Sequence, residues 1–146
     1  MTKDVLLRIK GLQSVEAEEE TVEMIAPGIY FERDGKHYIK YDEAVEGTEE
    51  TIQNLIKVDG SSMEVTKRGV TNAHMVFERN KKNHTYYSTP FGNLLVGISA
   101  KDIVLKAAED SLDIKVEYAL EVNYEHLADC TISMNVQSKK RAHLHL

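Results

Sequence analysis

Leu112-Asp-Ile-Lys-Val-Glu-Tyr-Ala-Leu-Glu-Val-Asn-Tyr124 decides the fold. Its even positions, Leu112, Ile114, Val116, Tyr118, Leu120, Val122 and Tyr124, are all apolar or aromatic. Its odd positions are Asp113, Lys115, Glu117, Ala119, Glu121 and Asn123. Successive side chains on a strand point to opposite faces, so the stretch predicts one long strand with an oily side and a wet side. A helix would spread the same seven residues around its surface.

The pattern repeats outward from there. On the C-terminal side, Ala128, Cys130, Ile132, Met134 and Val136 alternate with polar residues. Both strands of this last hairpin use even positions inward, so an even loop would mismatch them. Either the loop is odd or a bulge intervenes, and a three-residue loop at Tyr124, Glu125 and His126 is expected. On the N-terminal side, Leu94, Val96 and Ile98 form one file and Ile103, Leu105 and Ala107 another. Thr89-Pro90-Phe91-Gly92 suits a tight turn with proline second. Tyr86 and Tyr87 lie on one strand; Ala73, Met75 and Phe77 are in file on another, and Gly69 marks a bulge or corner. Asp59-Gly60 predicts a hairpin pairing Ile56 with Met63 and Asn54 with Val65. Asp34-Gly35 predicts a second, setting Tyr30 opposite Ile39 and Phe31 opposite Tyr38. The acidic run Glu16 to Glu20 reads as a loop, and Pro27-Gly28 as a break between Thr21–Ala26 and the next strand.

The chain has 146 residues, 42% hydrophobic and 29% charged, with a net charge of −6. That suffices for one domain with a substantial core. An acidic balance disfavours a nucleic-acid partner. No apolar run is long enough for a membrane-spanning helix. The start carries no secretory pattern, and the single cysteine, Cys130, predicts a reducing, cytoplasmic setting with an inert buried thiol. The organisation expected is a single β-barrel domain over residues 1–138 and a basic tail over 139–146. Nine to eleven short strands with recurring turns predict an all-β fold. The architecture expected is a closed antiparallel up-and-down β-barrel of about 8–10 strands, with a Greek-key sandwich as the alternative.

Val5-Leu-Leu-Arg-Ile-Lys-Gly11, Arg68-Gly69, Met75-Val-Phe77-Glu78, His84-Thr-Tyr-Tyr87 and Thr89-Pro-Phe-Gly92 together resemble the YwiB-like family of small bacterial proteins. The resemblance covers nearly the whole chain. It implies a calycin-like, or lipocalin-like, closed barrel and, by analogy of fold, ligand binding; it supplies no catalytic residues. The chain has no tryptophan and so lacks the Gly-x-Trp signature of lipocalins.

No nucleophile elbow, phosphate loop, dinucleotide fingerprint or zinc-protease motif is present, so no cofactor is expected. His143 and His145 lie two apart in the tail, but two imidazoles without a third ligand make a poor metal site. Asn54 is polar in an apolar file, so it either bonds backbone at a bulge or faces a wet cavity. Arg68 stands beside the Gly69 break. Alternation from Val65 places it outward unless a bulge reverses it, and its guanidinium suits a carboxylate or phosphate. The residues expected to contact a ligand are Tyr38, Asn54, Arg68, Met75, Phe77 and Tyr87. The function expected is binding of a small apolar or amphipathic, anionic-headed ligand in the barrel of a monomer or homodimer. The alternative is a protein-interaction module with a solid core. An enzyme using Arg68, His74 or His84 has no support from spacing.

Overall fold

The structure is a computed structural model that describes residues 3–139. The tail histidines His143 and His145 therefore lie outside the described residues. Ten antiparallel strands are described: β1 (Asp4–Val15), β2 (Glu18–Arg33), β3 (Lys36–Ala44), β4 (Thr51–Val58), β5 (Ser62–Arg68), β6 (Ala73–Glu78), β7 (Lys82–Thr89), β8 (Gly92–Ala107), β9 (Ser111–Val122) and β10 (Glu125–Ser138). Their spatial order is β6-β5-β4-β3-β2-β1-β10-β9-β8-β7. Each strand thus lies beside its neighbours in sequence, and β1 pairs with β10 to join the two ends of the meander. The wall comes together at β6 and β7. There it is stitched by reciprocal backbone bonds of 2.9 Å between Asn72 and Ser88, and by the Asn83 amide donating to the Val76 carbonyl at 3.2 Å. The result is a nearly closed up-and-down barrel, the architecture expected. No described helix is long and apolar enough to cross a membrane.

Alternation sets the inside. Leu112, Ile114 and Val116 are at most 2% exposed, and Tyr118 and Leu120 pack against the same core. The even file ends at Val122, however, because Asn123 and Tyr124 form the turn, with φ of 50° and 67°. Glu125 pairs with Val122, so the expected three-residue loop is incorrect. The parity conflict is resolved by the other route, a bulge between His126 and Ala128 that leaves Leu127 unpaired. A second bulge, between Ala100 and Asp102, switches β8 from even to odd residues inward, so the two files read as separate strands are one.

Three further readings are corrected. Glu16 and Ala17 form a tight turn with φ of 48° and 69°, and the acidic residues after it already belong to β2. Pro27-Gly28 does not break that strand. Gly28 instead lets chains approach closely: a Cβ there would stand 2.6 Å from Leu7 Cδ1 and 2.8 Å from the Lys40 carbonyl oxygen. The Asp34-Gly35 hairpin has the predicted register, with Tyr30 opposite Ile39 and Phe31 opposite Tyr38. At the next hairpin the turn sits one residue later than expected, and Asp59 Oδ1 accepts from the amides of Ser61 and Ser62. Ile56 therefore faces Val65, and Asn54 faces Lys67. The two-residue displacement keeps every side chain on its predicted face, because faces repeat every two residues.

Candidate functional site

Beyond Ile29 and Lys40 the strands β2 and β3 part. Their ladder runs only from Ile29–Lys40 to Arg33–Lys36, although β2 extends back to Glu18 and β3 on to Ala44. A cleft of about 710 Å³ lies at this fork. Pro27, Gly28 and Ile29 line it from β2, Lys40, Tyr41 and Asp42 from β3, Gln53, Asn54 and Leu55 from β4, and Thr66 and Arg68 from β5, with Asp4 and Lys139 at its end. Side chains of both barrel faces line it because the wall splits here.

Arg68 reaches this cleft from the outer face. Met63 and Val65 are buried, so alternation carries Arg68 outward opposite Gln53. Gly69 forms a corner rather than a bulge inside β5. Its φ is 146°, and a Cβ there would lie 2.7 Å from the Thr51 carbonyl oxygen, which only glycine tolerates. Among the described residues no carboxylate lies within ion-pair distance of Arg68.

On the inner side of the same wall sits a polar ring. Lys67 Nζ donates to Glu43 Oε1 and to Asn54 Oδ1, both at 2.9 Å. Asn54 Nδ2 donates to Glu43 Oε1 and to the Ile52 carbonyl, both at 3.2 Å. Asn54 thus bonds backbone, though at no bulge, and it lines the cleft. Two tyrosines stand nearby. Burial, then the negative charge of Glu43, raises the Tyr41 and Tyr87 hydroxyls above the usual phenol range. Both therefore remain protonated donors at neutral pH. Sequence reasoning missed Glu43 and Lys67, although their parity relative to Ile39 and to Val65 marks both as inward.

The six expected ligand residues do not converge on one lumen. Asn54 and Tyr87 belong to the polar end of the barrel, where Met75 is partly buried against the core. Phe77 is 2% exposed and packs edge-on to Tyr118 at 5.0 Å between ring centroids, a core position. Tyr38 faces outward, stacked on Phe31 at 4.7 Å with the Lys57 ammonium over its ring. Arg68 also faces outward, into the cleft.

Nor do the residues of the enzyme reading meet. His74 Nδ1 lies 3.0 Å from the Thr66 hydroxyl and its Nε2 3.4 Å from Glu64. His84 lies 3.7 Å from Glu121 Oε1, which Lys82 Nζ approaches to 2.6 Å. Lys82, through that hydrogen bond, holds the Glu121 carboxyl below the usual carboxylate range. Among the described residues no three His, Cys, Asp or Glu side chains form a metal-binding group. Cys130 is 5% exposed, and burial pushes its thiol up, partly offset by a hydrogen bond with Tyr118. A raised thiol has less thiolate, the reactive form. Ellman's reagent at about pH 8 is therefore expected to label Cys130 only as fast as the protein unfolds; fast, complete labelling of the native protein would contradict this.

A family model described as Domain of unknown function (DUF1934) matches residues 7–134. The uncharacterized beta-barrel protein YwiB of Bacillus subtilis (strain 168) is 24% identical over 131 residues, covering 88% of this chain and 91% of that protein. The crystal structure of the YwiB protein from Bacillus subtilis shares the fold. Its TM-score is 0.83 at 19% identity, over 93% of this chain and 92% of that one.

Proposed function

Because the chain belongs to the family described as Domain of unknown function (DUF1934), its role is read from its own barrel, and we propose that it binds a small amphipathic anion in the fork between β2 and β3. The observation that carries this is Arg68, an arginine without an ionic partner among the described residues, on the wall of a cleft of about 710 Å³. Small-molecule sites fall roughly between 300 and 1,000 Å³ and combine apolar lining with a few directed polar groups. Pro27, Ile29 and Leu55 supply the apolar side, and Arg68 and Lys40 the cations. A guanidinium offers two parallel donors to a carboxylate or phosphate. The barrel's middle is a poorer place for a ligand, since eighteen buried side chains of the described residues, from nine strands, already form one cluster there. A calycin-like kinship and a cytoplasmic location, the latter on the strength of the single reduced cysteine, belong to the same proposal.

Decanoate is a suitable probe, with decanol as the uncharged control. Decanoate is expected to raise the melting temperature, and Arg68→Gln to weaken its binding at least about tenfold, the loss of one charge-assisted contact of roughly 1.5–3 kcal/mol. Decanol is expected to bind no better to the native protein than to the variant. Decanoate binding unchanged in Arg68→Gln, or no binding at all, would overturn the assignment.

A further inference from the structure

We propose that the free edge of β2, Glu18–Ala26, receives a basic extended peptide as an added strand. β2 pairs with β1 along its length, from Val15–Glu18 to Asp4–Ile29, but with β3 only from Ile29 onward. Over Glu18–Ala26 the second edge has no strand partner among the described residues. Such an edge presents a row of backbone donors and acceptors to any incoming strand.

Three features specify the occupant. First, the edge keeps apolar contact area on both faces: Val22 is 66% exposed and Ile25, of opposite parity, 56% exposed. A peptide strand would cover both. Second, the segment carries Glu18, Glu19, Glu20 and Glu23 and no lysine, arginine or histidine. The cations near them belong to β1: Arg8 stands 4.0 Å from Glu23 with both side chains exposed, and Lys10 lies opposite Glu23 in the ladder, so Glu18, Glu19 and Glu20 form no ion pair among the described residues. Third, the same glutamates oppose pairing with a second copy of this edge, because like charges would meet across the ladder. Self-association is thus disfavoured where a lysine- or arginine-bearing peptide is attracted. Pro27, which lacks an amide donor, marks the inner limit of the edge beside the cleft.

The test uses the full chain and a synthetic peptide of alternating lysine and valine, about nine residues long, enough to span the edge at roughly 3.3 Å per residue. Three further probes are the same peptide with its pairing-edge amides N-methylated, an alternating glutamate and valine peptide, and the native peptide against Glu19→Lys/Glu20→Lys/Glu23→Lys protein. The lysine peptide is expected to bind and to slow amide exchange across Glu18–Ala26. N-methylation and the triple substitution are each expected to weaken binding at least tenfold, and the glutamate peptide is expected not to bind. Equal binding of the N-methylated peptide would reduce the effect to loose charge attraction and overturn the proposal. So would failure of the lysine peptide to bind at low salt, protection appearing at another edge, or dimerisation of the protein alone through β2. The three glutamates are exposed, and among the described residues no ion pair holds Glu19 or Glu20; unchanged circular dichroism of the variant separates lost binding from lost fold.

Discussion

Replacing Phe77 with alanine is expected to lower the unfolding free energy by about 3–5 kcal/mol, the usual range for removing a fully buried aromatic ring. The ring is 2% exposed on β6, next to the seam where the barrel wall is stitched rather than laddered. It lies opposite Met63 on β5 and meets Tyr118 of β9 across the interior with an interplanar angle of 77°. Neighbours on the far wall cannot move in to fill the space, because their strands are fixed in ladders. The substitution therefore leaves a cavity, and cavities add to the lost transfer free energy. Urea denaturation should show a lower midpoint with an unchanged slope. Phe77→Leu should cost less, about 1–1.5 kcal/mol, because it keeps most of the volume. A loss below about 1 kcal/mol for alanine would mean that the ring borders an empty lumen rather than packed side chains. That result would return Phe77 to the ligand-contact role that its place in the Met75 file suggests.

The difference between those two roles could not be read from the sequence, for a specific reason. Alternation tells which side of the wall a residue faces; it does not tell what waits on that side. Val116 and Phe77 were legible as inward, and both are buried; the Asp34-Gly35 hairpin, apolar on both faces, left the buried Ile39 undecided. Which of them meet across the lumen depends on the curvature of the sheet, which no local pattern encodes. The turns show the same boundary. Asp34-Gly35 announced itself because aspartate and glycine accept positive φ. Glu16-Ala17 and Asn123-Tyr124 adopt the same geometry with residues of which only Asn123 favours it, imposed by the ladders of β1 with β2 and of β9 with β10. Parity did require an irregularity near His126, yet it left loop and bulge open. The cleft was the least legible feature. It arises where β2 and β3 separate, and the signal there, Pro27-Gly28, resembled a strand end although the strand continues. Arg68 and Asn54 were each picked out on their own chemistry; that they share one wall, outside and inside, follows from the register of β4 with β5.

That register supplies the second large effect. Lys67→Met is expected to destabilise the barrel by about 2–3 kcal/mol. This is somewhat less than the 3–5 kcal/mol typical of breaking a fully buried pair, because Glu43 keeps partial access to water. The side chain of Lys67 is 15% exposed and that of Glu43 34%. Without the ammonium, the Glu43 carboxylate retains, among the described residues, only the Asn54 amide. Adding Glu43→Gln should recover half or more of the loss, and the double-mutant cycle should give a coupling of about 1–2 kcal/mol. Replacing all three members, as Glu43→Leu, Asn54→Val and Lys67→Met, should be nearly neutral, since well-packed apolar groups often match a buried ionic cluster. The consequence should appear in specificity instead. A slip of β5 by two residues against β4 keeps every apolar side chain inward, so the hydrophobic pattern cannot distinguish the two registers. Two polar devices can: the ring, and the Asp59 carboxylate, which the amide and hydroxyl of Ser61 hold below its usual range. Asp59→Ala alone should leave one set of amide resonances for β4 and β5. Asp59→Ala in the triple apolar background should give two. One set in both would show that neither device is needed to hold the strands in place.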